Sequence, residues 1–140
     1  MKKLLLAFAL LAAAASGPAR ADSADYQAFG ERAGLVKLMD DFMVRLVADP
    51  RTGPFFRDAN QARIKAQLVD QFCVALGGPC EYKGADMKTA HADLKITKTD
   101  FNALVEELQH AMDAQGIAFT AQNHLLAKLA PLHRDIVNVK

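Results

Sequence analysis

Almost the whole chain is patterned at the three-to-four-residue spacing of one-sided helices, and glycine and proline cut that pattern into a few pieces. No useful stretch alternates as a half-buried strand does. Tyr26 to Phe29 reads as a short helix interrupted near Gly30. From Gly34, the residues Leu35, Leu38, Met39, Phe42, Leu46 and Val47 form one apolar stripe. Asp49-Pro50 ends it, because proline pushes the preceding residue out of helical geometry. Arg51 to Ala59 is a tight, irregular corner carrying Phe55 and Phe56. Asn60 is a candidate N-cap for a helix whose stripe is Ile64, Leu68, Phe72 and Leu76, and Gly77-Gly78-Pro79 stops it. Cys80 to Ala90 carries weak helical signals and leads to His91. Thr97 with Asp100 approximates a capping box for a stripe of Phe101, Leu104, Val105, Leu108 and Met112, closed by Gly116. Thr120 is expected to cap the last helix, whose stripe is Leu125, Leu126, Leu129, Leu132 and Ile136, with a kink at Pro131.

The fold class expected is therefore all-α, with two long helices before His91 and two after it. Four such helices can bury one another's stripes without a cofactor, so a cofactor-free helical interaction module satisfies the pattern as it stands. At 140 residues, about half of them apolar, the chain has room for one core.

The opening residues stand apart. Lys2 and Lys3 precede an unbroken apolar run from Leu4 to Ala15, which is short for a bilayer span. Ala19-Arg20-Ala21 supplies the small-x-small pattern of a cleavage site. Charge, apolar length and cleavage pattern agree on a secretory signal peptide over residues 1–21, cut after Ala21, with the folded domain over 22–140. An uncleaved anchor or a buried helix would leave the last of these features without a purpose. The expected location is periplasmic or secreted, with no membrane association after cleavage. Cleavage removes Lys2, Lys3 and Arg20 and no acid, leaving fourteen basic against sixteen acidic side chains. No basic run exceeds two residues and aromatics are not interleaved with Lys or Arg, so nothing here builds a nucleic-acid surface.

An oxidising compartment gives the two cysteines weight. Cys73 and Cys80 flank the Gly77-Gly78-Pro79 turn, which could fold the chain back and let the sulfurs meet; two small buried apolar side chains are the alternative. Neither lies in a C-x-x-C-H run, so covalent c-type haem attachment is not expected. Other chemistry is sparse. No nucleophile sits in a recognisable elbow, and no glycine-rich loop precedes a helix. Among the four histidines, His110, His124 and His133 read as surface residues. Met87, His91 and Leu94 fall at i, i+4 and i+7, which turns the His91 imidazole toward the interior among apolar neighbours. A buried imidazole needs a partner for each nitrogen. From its spacing alone it is either a satisfied core residue or a metal ligand.

In order and spacing, a set of fragments resembles the group I truncated haemoglobins, shortened globins folded as a two-over-two helical sandwich around haem. The fragments are Asp41-Phe42, Ala48-Asp49-Pro50-Arg51, Pro54-Phe55-Phe56, Ala75-Leu76-Gly77-Gly78-Pro79, Tyr82-Lys83-Gly84-Ala85-Asp86-Met87 with His91 four residues on, Ile96-Thr97, and Ala130-Pro131-Leu132. The resemblance covers nearly all of residues 26–137. It implies one non-covalent haem b, with His91 as the proximal iron ligand through Nε2 and its Nδ1–H donating to a nearby backbone carbonyl. Phe56 then packs on the distal side, Phe42 and Phe72 form apolar walls, Met87 lies on the proximal side and Gln67 lies near the haem edge. Glu31 stands where the family usually has a second glycine after Gly30, which implies a differently shaped first turn.

The departure of most consequence is distal. The family typically has a tyrosine directly after the phenylalanine of the first long helix; this chain has Met43. The matching positions on the distal helix are Ile64 and Leu68, so the distal trio offers no strong hydrogen-bond donor. The resemblance therefore implies reversible binding of a diatomic gas (O2, NO or CO), with discrimination against dioxygen, and the missing tyrosine argues against nitric-oxide dioxygenase activity. Met43 is also a candidate sixth ligand. A His/Met-ligated iron would point to electron transfer or haem handling, with a redox partner; filling volume is the plainer role for that side chain.

Overall fold

The structure, a computed structural model, describes residues 23–139. The expected signal peptide lies outside the described residues. Among these, eight α-helices and a 3₁₀ turn make up the regular structure. They are α1 (Ala24–Ala28), α2 (Glu31–Ala48), α3 (Gly53–Phe56), α4 (Gln61–Ala75), α5 (Met87–His91), α6 (Lys98–Ala114), α7 (Phe119–Leu129), the 3₁₀ turn (Ala130–Leu132) and α8 (His133–Ile136). No helix among them is long and apolar enough to cross a membrane.

The four long helices are the four stripes. α2 packs against both α4 and α6, and α4 packs against α7. Leu35, Leu38, Met39, Phe42 and Leu46 of α2 are buried together with Val69 and Phe72 of α4, Leu76 at its C-cap, Leu108 and Met112 of α6, and Leu125 of α7. Ion pairs at the surface run between the same partners: Arg32 with Asp70 at 2.9 Å and Lys65 with Asp40 at 2.7 Å join α2 to α4.

The helix ends follow local chemistry. Asn60 Oδ1 accepts from Arg63 N at 3.1 Å. Thr97 and Asp100 form a reciprocal capping box, with Asp100 N donating to Thr97 Oγ1 and Thr97 N to Asp100 Oδ2. α4 ends in a Schellman turn: Gly78 N donates to Cys73 O at 2.8 Å, Gly77 N to Val74 O at 3.0 Å, and Gly77 has φ +77°. That turn brings Cys80 back to Cys73. The two are joined by a disulfide with Cα atoms 5.9 Å apart. Pro131 lies in the 3₁₀ turn that breaks the last helix into α7 and α8, which is the expected kink.

Three local expectations are corrected. The last helix is capped at Ala118 rather than Thr120, which already lies inside α7. His133 is half-buried rather than on the surface: its ring stands edge-on to Phe101 at 5.0 Å, and its Nε2 is buried without a hydrogen-bond partner. The chain neighbours Arg134 and Asp135 are exposed, and they masked the direction His133 takes. The first turn keeps left-handed geometry at both positions, with φ +76° at Gly30 and +57° at Glu31. Glu31 therefore carries a backbone cost of roughly 1–2 kcal/mol that glycine would not.

Candidate functional site

Several stripe members are only half-buried although the helical period points them inward: Ile64 and Leu68 of α4, Phe101, Leu104 and Val105 of α6, and Leu129, Leu132 and Ile136 at the C-terminal end. All eight line one cavity of about 340 Å³, at the lower end of the size range of small-molecule sites. The helices do not close over this space, and it is walled almost wholly by hydrocarbon.

One side of the cavity comes from α2, the corner and α4. Phe42 and Leu46 stand one turn apart on α2. The corner is fixed by Thr52, whose buried hydroxyl donates to Leu46 O at 2.7 Å, and Phe55 and Phe56 follow on α3. Outside the cavity, Arg51 pairs with Asp49 (2.7 Å) and with Glu106 of α6 (3.0 Å). The Arg51 guanidinium, bonded to the Asp49 side chain, holds that carboxyl far below its usual range. From α4 come Ile64, Gln67, Leu68, Gln71 and Phe72, spaced at three and four residues along one face.

The opposite side is α5 and the turn after it, with Met87, Ala90, His91, Leu94 and Ile96. α5 is short and is started by Asp86, whose carboxylate accepts from both Thr89 N (2.9 Å) and Thr89 Oγ1 (2.8 Å); those bonds lower the Asp86 pKa.

The ionisable side chains on the cavity wall are Tyr82, His91 and Asp100. Two are committed. Tyr82 donates to Ala85 O at 2.7 Å, and Asp100 serves the Thr97 cap. His91 Nδ1 lies 2.7 Å from Met87 O. A carbonyl can only accept, so Nδ1 carries a proton, and in the neutral ring that leaves the lone pair on Nε2. No hydrogen bond engages Nε2 among the described residues. The cavity thus combines apolar walls with one imidazole held in the tautomer and orientation that a metal ligand requires. These residues fit a large, mostly apolar group carrying one metal.

Of the nine residues singled out for the pocket, the structure brings eight to this cavity: Phe42, Phe56, Ile64, Gln67, Leu68, Phe72, Met87 and His91. Met43 is the exception. It is buried, 4% exposed, but lines a separate groove with Asp40, Val44, Val47, Gln61 and Lys65. Successive helical residues point about 100° apart. With Phe42 and Leu46 on the cavity wall, Met43 turns toward the start of α4 instead. The structure thus sets Met43 in that groove and not among the residues of the cavity wall. Gln71 went unnoticed in the sequence, although it stands one turn beyond Gln67. Its Nε2 lies 3.4 Å from Met87 Sδ, so it links the two sides.

The family model for bacterial-like globins matches residues 24–138. The group 1 truncated hemoglobin GlbN of Mycolicibacterium paratuberculosis is 34% identical over 111 residues, 79% of this chain and 82% of that protein. The chain belongs to the group I truncated globins. The group 1 truncated hemoglobin LI410 of Chlamydomonas moewusii is 32% identical over 136 residues, 91% of this chain and 78% of that protein. Among solved structures, the Fe(III) truncated hemoglobin of Tetrahymena pyriformis superimposes with a TM-score of 0.77 at 24% identity, covering 81% of this chain and 97% of that one. The 2/2 hemoglobin of Synechococcus sp. PCC 7002, solved in the cyanomet state with covalently attached heme, gives 0.76 at 23% identity, covering 81% and 98%. The arrangement of α2, α4, α6 and α7 in this globin is thus the two-over-two fold, and haem is the cofactor of its family.

Proposed function

We propose that the chain holds one haem b non-covalently in this cavity, with His91 Nε2 as proximal ligand, and that it reversibly binds a diatomic gas. One observation carries the reading. In a cavity walled by hydrocarbon, His91 is the single ionisable side chain left uncommitted, and its Nδ1 is anchored to Met87 O. Haem held here would supply an iron able to take a small diatomic ligand. The protein's own residues do the rest. Phe42, Phe56 and Phe72 give the porphyrin apolar surface and keep water out. The Met87 carbonyl fixes the orientation of the His91 ring.

Ile64 and Leu68 present no donor to an incoming ligand. A hydrogen bond to a ligand that gathers negative charge is worth roughly 1.5–3 kcal/mol, so its lack weakens retention of dioxygen by about 10- to 100-fold. NO and CO depend on such a bond less, and they are the ligands this wall favours.

We further propose that residues 1–21 direct export and that the protein works in the periplasm or outside the cell. The Cys73–Cys80 disulfide supports an oxidising compartment. Exported protein should begin at Asp22 by intact mass.

The deciding experiment is the optical spectrum of the ferrous protein with and without CO, beside His91→Ala. A five-coordinate ferrous spectrum that shifts with CO, and that His91→Ala abolishes, is expected. Porphyrin uptake and an iron spectrum unchanged in His91→Ala would overturn the reading.

A further inference from the structure

We propose that Asn138 is a positioning residue for the iron ligand, clamping the C-terminal end of α5 and thereby the His91 ring. This rests on the haem reading above. α5 has five residues, too few to hold a helix in water unaided. Its last carbonyls have no partner within the helix. Asn138, 47 residues further along the chain, supplies one: its Nδ2 donates to His91 O at 2.7 Å and to Ala92 O at 3.1 Å. The other half of the same amide is used as well. Asn138 Oδ1 accepts from Ile96 N at 2.8 Å, while the backbone N–H groups of Asn138 and Val139 donate to Ile96 O at 3.0 and 3.1 Å.

The two ends of the side chain are not interchangeable. One faces two carbonyls and the other an N–H, so only the asparagine amide in this orientation satisfies the site. Five hydrogen bonds thus tie both ends of the turn from His91 to Ile96 to one short segment after α8. The turn needs such support, because Lys95 within it sits at φ +52°, a conformation that costs a residue other than glycine. Asp86 pins the start of α5, Asn138 pins its end, and Met87 O fixes the ring between them. With both ends held, the imidazole cannot swing about the helix axis.

The test uses the exported domain loaded with haem, in Asn138→Ala and Asn138→Asp. Aspartate keeps the acceptor for Ile96 N–H but turns a carboxylate oxygen, not a donor, on the two carbonyls. Haem transfer to excess haem-free myoglobin should speed up about tenfold in the Ala variant and at least as much in the Asp variant. The iron–histidine stretching band of the ferrous protein should shift or broaden in both. In haem-free protein, amide exchange over residues 87–96 should accelerate while α2 is unaffected. Variants that melt earlier but keep the parental band, haem loss and exchange pattern overturn the proposal. A parent protein without an iron–histidine band overturns the His91 assignment itself, whereas a normal parent with unchanged variants overturns the clamp alone.

Discussion

Reducing the Cys73–Cys80 disulfide should lower stability without dismantling the fold. The bridge closes a short loop, with a sequence separation of 7, and the native conformation of that loop is also held by the Schellman turn at Gly77 and Gly78. The gain from the bond therefore lies mainly in the unfolded chain, where it removes loop freedom. The loop-closure relation gives an entropy loss of about 8 cal/mol/K, or about 2.4 kcal/mol at 25 °C. For a domain of this size that corresponds to a melting point lower by roughly 10 °C. Cys73 is fully buried while Cys80 is partly exposed, so reductant reaches the bridge from the Cys80 side. The assay is thermal unfolding by circular dichroism of haem-free protein, oxidised and reduced, with free thiols counted in each sample. Cys80→Ser, which leaves the buried Cys73 in place, should reproduce the reduced curve. A thiol count of two with an unchanged melting point would show that the unfolded chain does not gain the freedom assumed here, and the reasoning would fail.

Other expectations concern the cavity and the corner. Leu68→Gln places a donor on the apolar wall and should slow dioxygen release by about 10- to 100-fold while changing CO release far less; stopped-flow dissociation measures both. Leu38→Ala, at a position with no exposure, should cost about 2–5 kcal/mol in haem-free protein. Leu104→Ala, on the cavity wall, should cost distinctly less there but should speed haem loss. Asp49, with its carboxyl held below the ordinary 3.8 by Arg51, adds stability that is present above the ordinary carboxylate range and is lost as pH falls through its folded value. Asp49→Asn should therefore melt earlier than the parent at neutral pH, and the two curves should converge in acid.

The helices were legible because burial of a helix face repeats with the backbone period, and Asn60 and Thr97 declare their ends through side-chain oxygens that serve orphan N–H groups. Features set across the bundle were not legible. Asn138 follows the last stripe, and its side-chain partners lie 42, 46 and 47 residues away, so no local pattern could reveal it. His133 was assigned from the charges beside it, whereas its burial is decided by Phe101 of α6. Positional analogy with a tyrosine says nothing of the direction Met43 takes, and in the structure the cavity wall carries Phe42 and Leu46 while Met43 lines a separate groove.

The cavity itself shows why resemblance was needed to reach the site. Leu38 and Leu104 are the same residue on the same kind of stripe, yet one is sealed in the core and the other faces the cavity. Periodicity says which side of a helix is apolar, not whether another helix arrives to cover it. Each half-covered stripe member forgoes burial worth about 25 cal/mol per Å² of apolar surface. Eight of them around one space is a standing cost that a bare four-helix bundle could remove by closing. The space stays uncovered where His91 lines it, and under the function proposed above an apolar occupant bound through that imidazole would recover the missing burial.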